Sequence, residues 1–311
     1  MSFDKILALG QTAMELGLVN SLTVLSLFLS YSMLNVCDLS TDGCYTLGAA
    51  VGALVAIAGY PWLSLPAAML AGMISGFVTA TLQTRMGVQS LLAGIVVNTA
   101  LYSVNMALTG NKATLSMNKT VTVFSMAKDA LKDTFLARQS TLIVMLIAVV
   151  LVVLFMCFFL KTKLGLAIRA TGSNADMVRS SSINPTFTTT VGLCISNAFT
   201  GLSGCLMAQQ AKSFDINMGS GMVTVALASL LIGGVFVAKH KPIPLRAAGA
   251  VLGAVIFRIV YALALRFNMP AFMLKAVSSI IVVLAISGPY LRKQLPLILR
   301  RWKASREGRS A

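Results

Sequence analysis

Between Arg138 and Lys161 the chain runs for 22 residues without a charged side chain. Coiled as helix, that stretch is about 33 Å long at roughly 1.5 Å per residue, enough to cross hydrocarbon about 30 Å thick. Lipid offers no partner for a bare N–H or C=O, so a chain crossing it closes its hydrogen bonds internally, as helix. Comparable apolar runs, bounded by charges, Pro or Gly, occupy residues 14–35, 44–60, 65–84, 90–109, 187–209, 220–238, 246–266 and 270–290. The expected fold is therefore all-α, a polytopic transmembrane helical bundle of about 8–10 membrane segments. The runs at 44–60 and 220–238 are short or glycine-interrupted, which reads as one or two broken or re-entrant segments.

The composition fits that solvent, with 57% hydrophobic and 11% charged residues among 311. One transmembrane domain is expected over 1–291, followed by a basic tail over 292–311. A net charge of +16 would suit nucleic acid, but the Lys and Arg residues gather at the ends of apolar runs and in the tail. That is a topology signal, and no nucleic-acid partner is expected. Arg85, the loop with Lys161, Lys163, Arg169 and Arg179, the loop with Lys239, Lys241 and Arg246, and the tail from Arg292 to Arg309 fall on one side if the spans alternate. That side, with the C-terminus, reads as cytoplasmic, and the tail reads as an anchor attracted to membrane lipid. The opposite segment, Gly110 to Arg138, runs against the rule with Lys112, Lys119, Lys128 and Lys132, offset in part by Asp129 and Asp133. Ile6 to Leu34 is too long for a cleaved signal, and with Glu15 inside it reads as a short amphipathic lead-in to a retained span.

Catalytic chemistry has little material. The five cysteines lie in or beside apolar segments and read as structural thiols. The one histidine, His240, sits in a basic loop, so no metal site is expected. There is no G-x-x-x-x-G-K-[ST] cradle, no Ser/His/Asp set and no dinucleotide fingerprint, so no catalytic residue and no cofactor are assigned to this chain. Gly48 with Gly52, Gly72 with Gly76 and Gly249 with Gly253 are spaced to let helices approach closely, as in ordinary intramolecular packing. Asp38-Leu39-Ser40 and Asp215-Ile216-Asn217 each follow an apolar helix and precede a Gly-rich apolar stretch, a faint internal echo.

Polar groups within the apolar runs are the candidates for function. Asn98, Tyr102 and Asn105, at i, i+4 and i+7, form one stripe that either bonds to neighbouring helices or lines a passage for a polar solute. Asn197 begins a similar stripe with Thr200, Gly201 and Gly204. Arg258 lies about twelve residues into its run, too deep for comfortable snorkelling, and the expected partners are Asp38 or Asp42. Lys275 reads as snorkelling to an interface. Between two long apolar runs, Lys161 to Pro185 is too patterned for a tether. Ala175 to Ser182 can form a short helix with Asn174 as N-cap, Asp176 in its first turn and Arg179 later.

Arg169-Ala170-Thr171-Gly172-Ser173-Asn174, with Ile183-Asn184 downstream, resembles the coupling loop of ABC importer permeases related to the branched-chain amino-acid and simple-sugar systems. Asp38-Leu39-Ser40-Thr41-Asp42-Gly43, Ala100-Leu101-Tyr102-Ser103 with Asn105, Ser196-Asn197-Ala198, and Asp215-Ile216-Asn217-Met218-Gly219 are similar to the tryptophan/tyrosine transport branch. That branch often carries an acid just after Ile232, where this chain has Gly233-Gly234.

The resemblance implies a permease subunit, not an enzyme, working as two copies in a bacterial plasma membrane. A cytoplasmic ABC ATPase holding ATP and Mg would dock on loop 161–186 through Arg169, Gly172, Asn174, Asp176, Arg179 and Asn184. An extracytoplasmic solute-binding protein would deliver an amino acid, in the closest branch an aromatic one. The translocation path would run by Asp38, Asp42, Asn98, Tyr102, Asn105, Asn197 and Arg258. Nucleosides or sugars remain alternative solutes. A proton- or ion-coupled transporter, the alternative class, would need titrating intramembrane acids, and only Glu15, Asp38 and Asp42 are on offer.

Overall fold

The structure, a computed structural model, describes residues 3–130, 132, 139–237, 241–266 and five isolated positions, 276, 279, 280, 283 and 287. The run at 270–290, with Lys275, lies almost wholly outside the described residues, as do Lys239, His240 and the tail over 292–311.

Six described helices carry a stretch long and apolar enough to cross a membrane. They are α1 (Phe3–Leu27), extended by a π-helical turn over Phe28–Met33, α3 (Ser64–Thr84), α4 (Ser90–Leu108), α6 (Ser140–Phe159), α9 (Pro185–Ala211) and α11 (Ile243–Arg266). Two apolar helices are shorter, α2 (Thr41–Ile57) and α10 (Met222–Phe236). The remaining elements are the small helices α5 (Val123–Ala130), α7 (Lys163–Ser173) and α8 (Ala175–Ser180) and the strands β1 (Thr114–Ser116) and β2 (Ser213–Asp215). The chain is a multi-pass membrane protein. The amphipathic lead-in expected before the first span is not a separate element: helix is continuous from Phe3, because nothing between Ile6 and Leu27 breaks it and Glu15 is bridged by Gln11 and Gln210.

At the centre stand α1 and α9, antiparallel, each with 78% of its apolar window buried, against 22% for α6 and 28% for α4. α2 and α3 flank α9 so closely that no Cβ fits at several crossings. Gly48 lies on Gly201, Gly52 on Cys205, Gly72 on the Asn197 carbonyl and Gly76 on the Leu193 carbonyl. Gly253 and Gly233 do the same between α10 and α11. In lipid no hydrophobic effect pulls one helix to another, so this close van der Waals approach is what holds them.

Two reversals shape the interior. After the π-helical turn, Leu34 packs with Ile168 and Leu193 at the end of the bundle where α7 and α8 lie. Asn35, with φ of 57°, turns the chain back, and Asn is among the few side chains that tolerate that conformation. The chain returns to Asn197, near halfway along α9, before α2 begins and runs to the opposite end, where Ala53 and Ala56 cluster with Ala208 and Phe214. There β1 pairs antiparallel with β2, Thr114 facing Asp215. The chain then dips inward to Gly221, whose φ of 84° only glycine adopts freely, and α10 starts beside Asp42. At 17 and 15 residues, α2 and α10 are the shorter apolar helices; they begin side by side inside the bundle and leave toward opposite ends.

Candidate functional site

The polar heart of the molecule is the turn that precedes α2. Asp38 is 1% exposed. One carboxylate oxygen accepts from the Ser40 N–H at 2.8 Å and the Ser40 hydroxyl at 2.6 Å, and the other accepts from the Asn197 amide at 2.7 Å. The Asp38 carbonyl accepts from the Thr41 hydroxyl at 2.9 Å, and Thr79 donates to the Ser40 hydroxyl at 3.2 Å. An isolated carboxylate is costly to bury, and here three neutral donors substitute for water. The turn therefore welds α2, α3 and α9 together at mid-bundle.

One turn further along α2, Asp42 performs a similar task for α10. Its two oxygens accept from the Gly221 N–H at 2.9 Å and the Val223 N–H at 2.8 Å. Gly221 supplies no side-chain cap, so Asp42 caps α10 from another helix and sets an anion against the positive end of its dipole. Thr46 reinforces the joint, donating to the Asp42 carbonyl at 3.1 Å and accepting from the Gly219 N–H at 3.2 Å.

The stripe on α4 divides. Asn105 is buried and its amide donates to the Gly43 carbonyl at 3.3 Å, while its oxygen has no partner. Asn98 also reaches Gly43, its oxygen 2.8 Å from where a Cβ there would stand. Tyr102 is 51% exposed. At about 100° per residue Tyr102 and Asn105 stand roughly 60° apart, so a helix docked on Gly43 buries one and turns the other outward. On α9, Asn197 joins the Asp38 turn, Gly201 and Gly204 receive α2, and Thr200 donates to the Ser26 hydroxyl at 2.7 Å.

Arg258 does not meet Asp38 or Asp42, the partners expected from the sequence. With the Asn20 amide turned so that its oxygen faces α11, that oxygen accepts from Nε and Nη2 of Arg258, and the guanidinium lies 5.4 Å from the centre of the Tyr261 ring. The reason is position: Arg258 faces α1, whereas both acids sit at the α2 joint. Asp38 and Asp42 thus have no cation among their described hydrogen-bond partners.

At one end of the bundle, α7 and α8 form a bent tip between α6 and α9. Thr162 caps α7, accepting from the Gly165 N–H at 3.2 Å, and Asn174 caps α8, accepting from the N–H groups of Asp176 and Met177 at 3.0 Å each. Asn184 caps α9 through the Thr186 N–H at 2.9 Å, with Pro185 in the first turn. Asp176 and Arg179 are exposed, beside Met177 at 67% exposure. Gly172 sits directly on the Met33 carbonyl, Thr171 and Thr188 share a 2.8 Å hydrogen bond, and Arg169 lies close to Arg246, which donates to Ser32 at 2.8 Å. The six residues of this loop singled out in the sequence therefore fall into an exposed tip and a seat on the end of α1.

Several groups escaped the sequence reading. Helix α7 was signalled by Thr162 and by Leu164 and Ile168 at helical spacing. Ser26, Ser196 and Ser203 fasten α1 to α9, with Ser203 donating to the Val19 carbonyl at 2.7 Å. Gln209 is fully buried: its amide donates to Ser64 at 2.6 Å and its oxygen accepts from the Val123 N–H at 2.9 Å. Serines in an apolar run give no clue to their partners, so only the packing reveals these ties.

Among curated proteins, the chain is 31% identical over 273 residues to a tyrosine transport system permease protein of Clostridioides difficile (strain R20291), covering 88% of each chain. It is 33% identical over 224 residues to an uncharacterized protein of Rickettsia prowazekii (strain Madrid E), covering 71% of this chain and 75% of that one. No solved structure gives a significant match. The model of the branched-chain amino acid transport system permease component matches residues 12–286, nearly the whole described bundle, and the chain belongs to that family.

Proposed function

We propose that this chain is the membrane subunit of an ATP-driven amino-acid importer, with α7 and α8 as the surface on which a separate ATPase subunit acts. The observation that carries the reading is the capped, exposed tip made by those helices and its seat on the first span. A tether would need no caps at Thr162, Asn174 and Asn184. Exposed Met177 and Ile183 beside Asp176 and Arg179 suit a protein groove better than open water.

Force on the tip has a short route inward. Gly172 bears on Met33 and Leu34, and the reversal at Asn35 leads within a few residues to the Asp38 turn. A partner that binds two states of the tip with different affinity would bias the Asp38 and Asp42 joints between two arrangements. The solute path in this reading passes the joint where α2 and α10 begin, by Asp38, Asp42, Asn98, Asn105 and Asn197. The end carrying β1 and β2 faces outward and meets a solute-binding protein, two permease copies assemble, and the membrane is the bacterial inner one. The relative from Clostridioides difficile favours tyrosine or a similar aromatic amino acid as cargo.

The test is uptake into proteoliposomes containing this chain with the ATPase and binding protein encoded beside it. Uptake of labelled tyrosine is expected to require ATP and to fall at least about tenfold in Arg169→Ala and Asp176→Ala, with unchanged folding by circular dichroism. Uptake driven by an ion gradient with no ATPase present would replace this reading with that of a secondary transporter.

A further inference from the structure

The lysines on the segment between α4 and α6 run against the charge rule for a translocated loop and have no role in the transport reading. The same segment contributes Val123 to the lining of a groove of about 460 Å³ between α3 and α6. Its floor is α9, through Phe199, Leu202 and Leu206, all buried. Met69 and Leu151 stand in its walls, and Val123 at the start of α5 joins its lining. The lining is almost wholly apolar and the groove opens along α6, where Leu151 is 60% exposed, so its mouth faces hydrocarbon. Trp62, 59% exposed, lines it just before α3 begins, where aromatic rings sit at a headgroup boundary.

Helix α5 is fixed in place. Thr122 and Ser125 form a reciprocal cap, at 2.8 and 3.2 Å, and Gln209 takes the Val123 N–H. Val123 and Phe124 are buried, while Lys128 is exposed on the same short helix and Lys119 is exposed just before it. Lys132 is already paired with Asp129 at 2.6 Å. An apolar slot open to the bilayer, and exposed lysines on the short segment whose Val123 lines it, match one kind of molecule.

We propose that the groove holds an acyl chain of one anionic phospholipid whose phosphate is held by Lys119 and Lys128. The lipid fills the gap between α3 and α6 and completes the packing of an otherwise thinly covered α6. The bound headgroup then offsets part of the positive charge that the segment carries on its side of the membrane. This inference needs only the membrane bundle and stands apart from the importer reading.

The experiment is native mass spectrometry of the full chain purified in mild detergent and offered equimolar phosphatidylglycerol and phosphatidylcholine. The unaltered chain is expected to retain one phosphatidylglycerol in preference. Ala148→Phe, which fills the groove, and the pair Lys119→Gln with Lys128→Gln should each lower retention about tenfold, the effect of losing contact for about two methylenes or one firm charge. Ile74→Phe, on exposed surface away from the groove, should retain lipid as before. If Ala148→Phe does not fold, Leu151→Trp narrows the mouth instead. Equal retention in the groove variants, indifference between the two lipids, or lipid-free dimers locked through Leu151→Cys would overturn the proposal, the last by showing that a second copy covers the groove.

Discussion

Replacing Asp42 by Ala removes the acceptor for two backbone N–H groups at the start of α10, those of Gly221 and Val223. Among the described residues no other side chain caps that helix, and Gly221 has none to offer. A hydrogen bond to a charged group contributes about 1.5–3 kcal/mol, and Asp42 is half-buried, so the lower figure applies to each. The two together give about 3 kcal/mol, or roughly 150-fold in the local opening equilibrium. Asp42→Asn keeps one acceptor oxygen but turns an NH₂ toward the second N–H, and should lose about half of that. Hydrogen exchange read by mass spectrometry on peptides covering residues 219–227 measures it directly. Exchange is expected to accelerate about two orders of magnitude in Asp42→Ala while peptides from α6 stay as they were. Exchange within about threefold of the unaltered chain would refute the view that α10 is capped from α2.

Other consequences are open to equally simple checks. Gly72→Val places its side chain on the Asn197 carbonyl, should cost at least about 1–3 kcal/mol of overpacking, and should lower Tm in detergent. Gly234→Ala meets only open space on α10 and should raise Tm slightly, by up to about 1 kcal/mol of stability. Gln209→Leu leaves the buried Val123 N–H without its acceptor, while the Ser64 hydroxyl keeps the Pro61 carbonyl, so α5 should become protease-sensitive before the bundle melts, at a cost of about 2 kcal/mol. Asn174→Ala removes two cap bonds at the tip, which costs about 1 kcal/mol locally and, under the importer reading, should lower ATP-driven uptake more than it lowers Tm.

The helices were legible because each obeys a local rule. Apolar length places α3, α4, α6, α9 and α11 within a few residues of where the sequence puts them, and the two runs that read as short, 44–60 and 220–238, are the two shorter apolar helices, α2 and α10. Asn174 announces its cap by residue type alone, and the cap bonds are there; Asn184, read only as part of the loop, caps α9 as well. The glycine pairs at 48 and 52 and at 72 and 76 signal close approach, and the close approach is to α9.

Partners are another matter, because an apolar helix carries almost no information about which neighbour its polar side chains will meet. Arg258 lies deep in its apolar run and the acids at 38 and 42 flank another, so pairing them is the natural guess from a list of residues. The bundle places α11 against α1, and the cation meets Asn20 instead. Likewise an i, i+4, i+7 stripe is a line on an isolated helix, but a docked helix buries a narrower face, so Asn105 goes in and Tyr102 stays out. What the sequence determined by itself is the solvent, the bounds of the long apolar helices and the cap at Asn174, all fixed by local hydrogen bonding and hydropathy. Only the tertiary structure decided that the two shorter apolar helices begin side by side, with a carboxylate of one capping the other, because that joint is made between residues 179 and 181 positions apart in the chain.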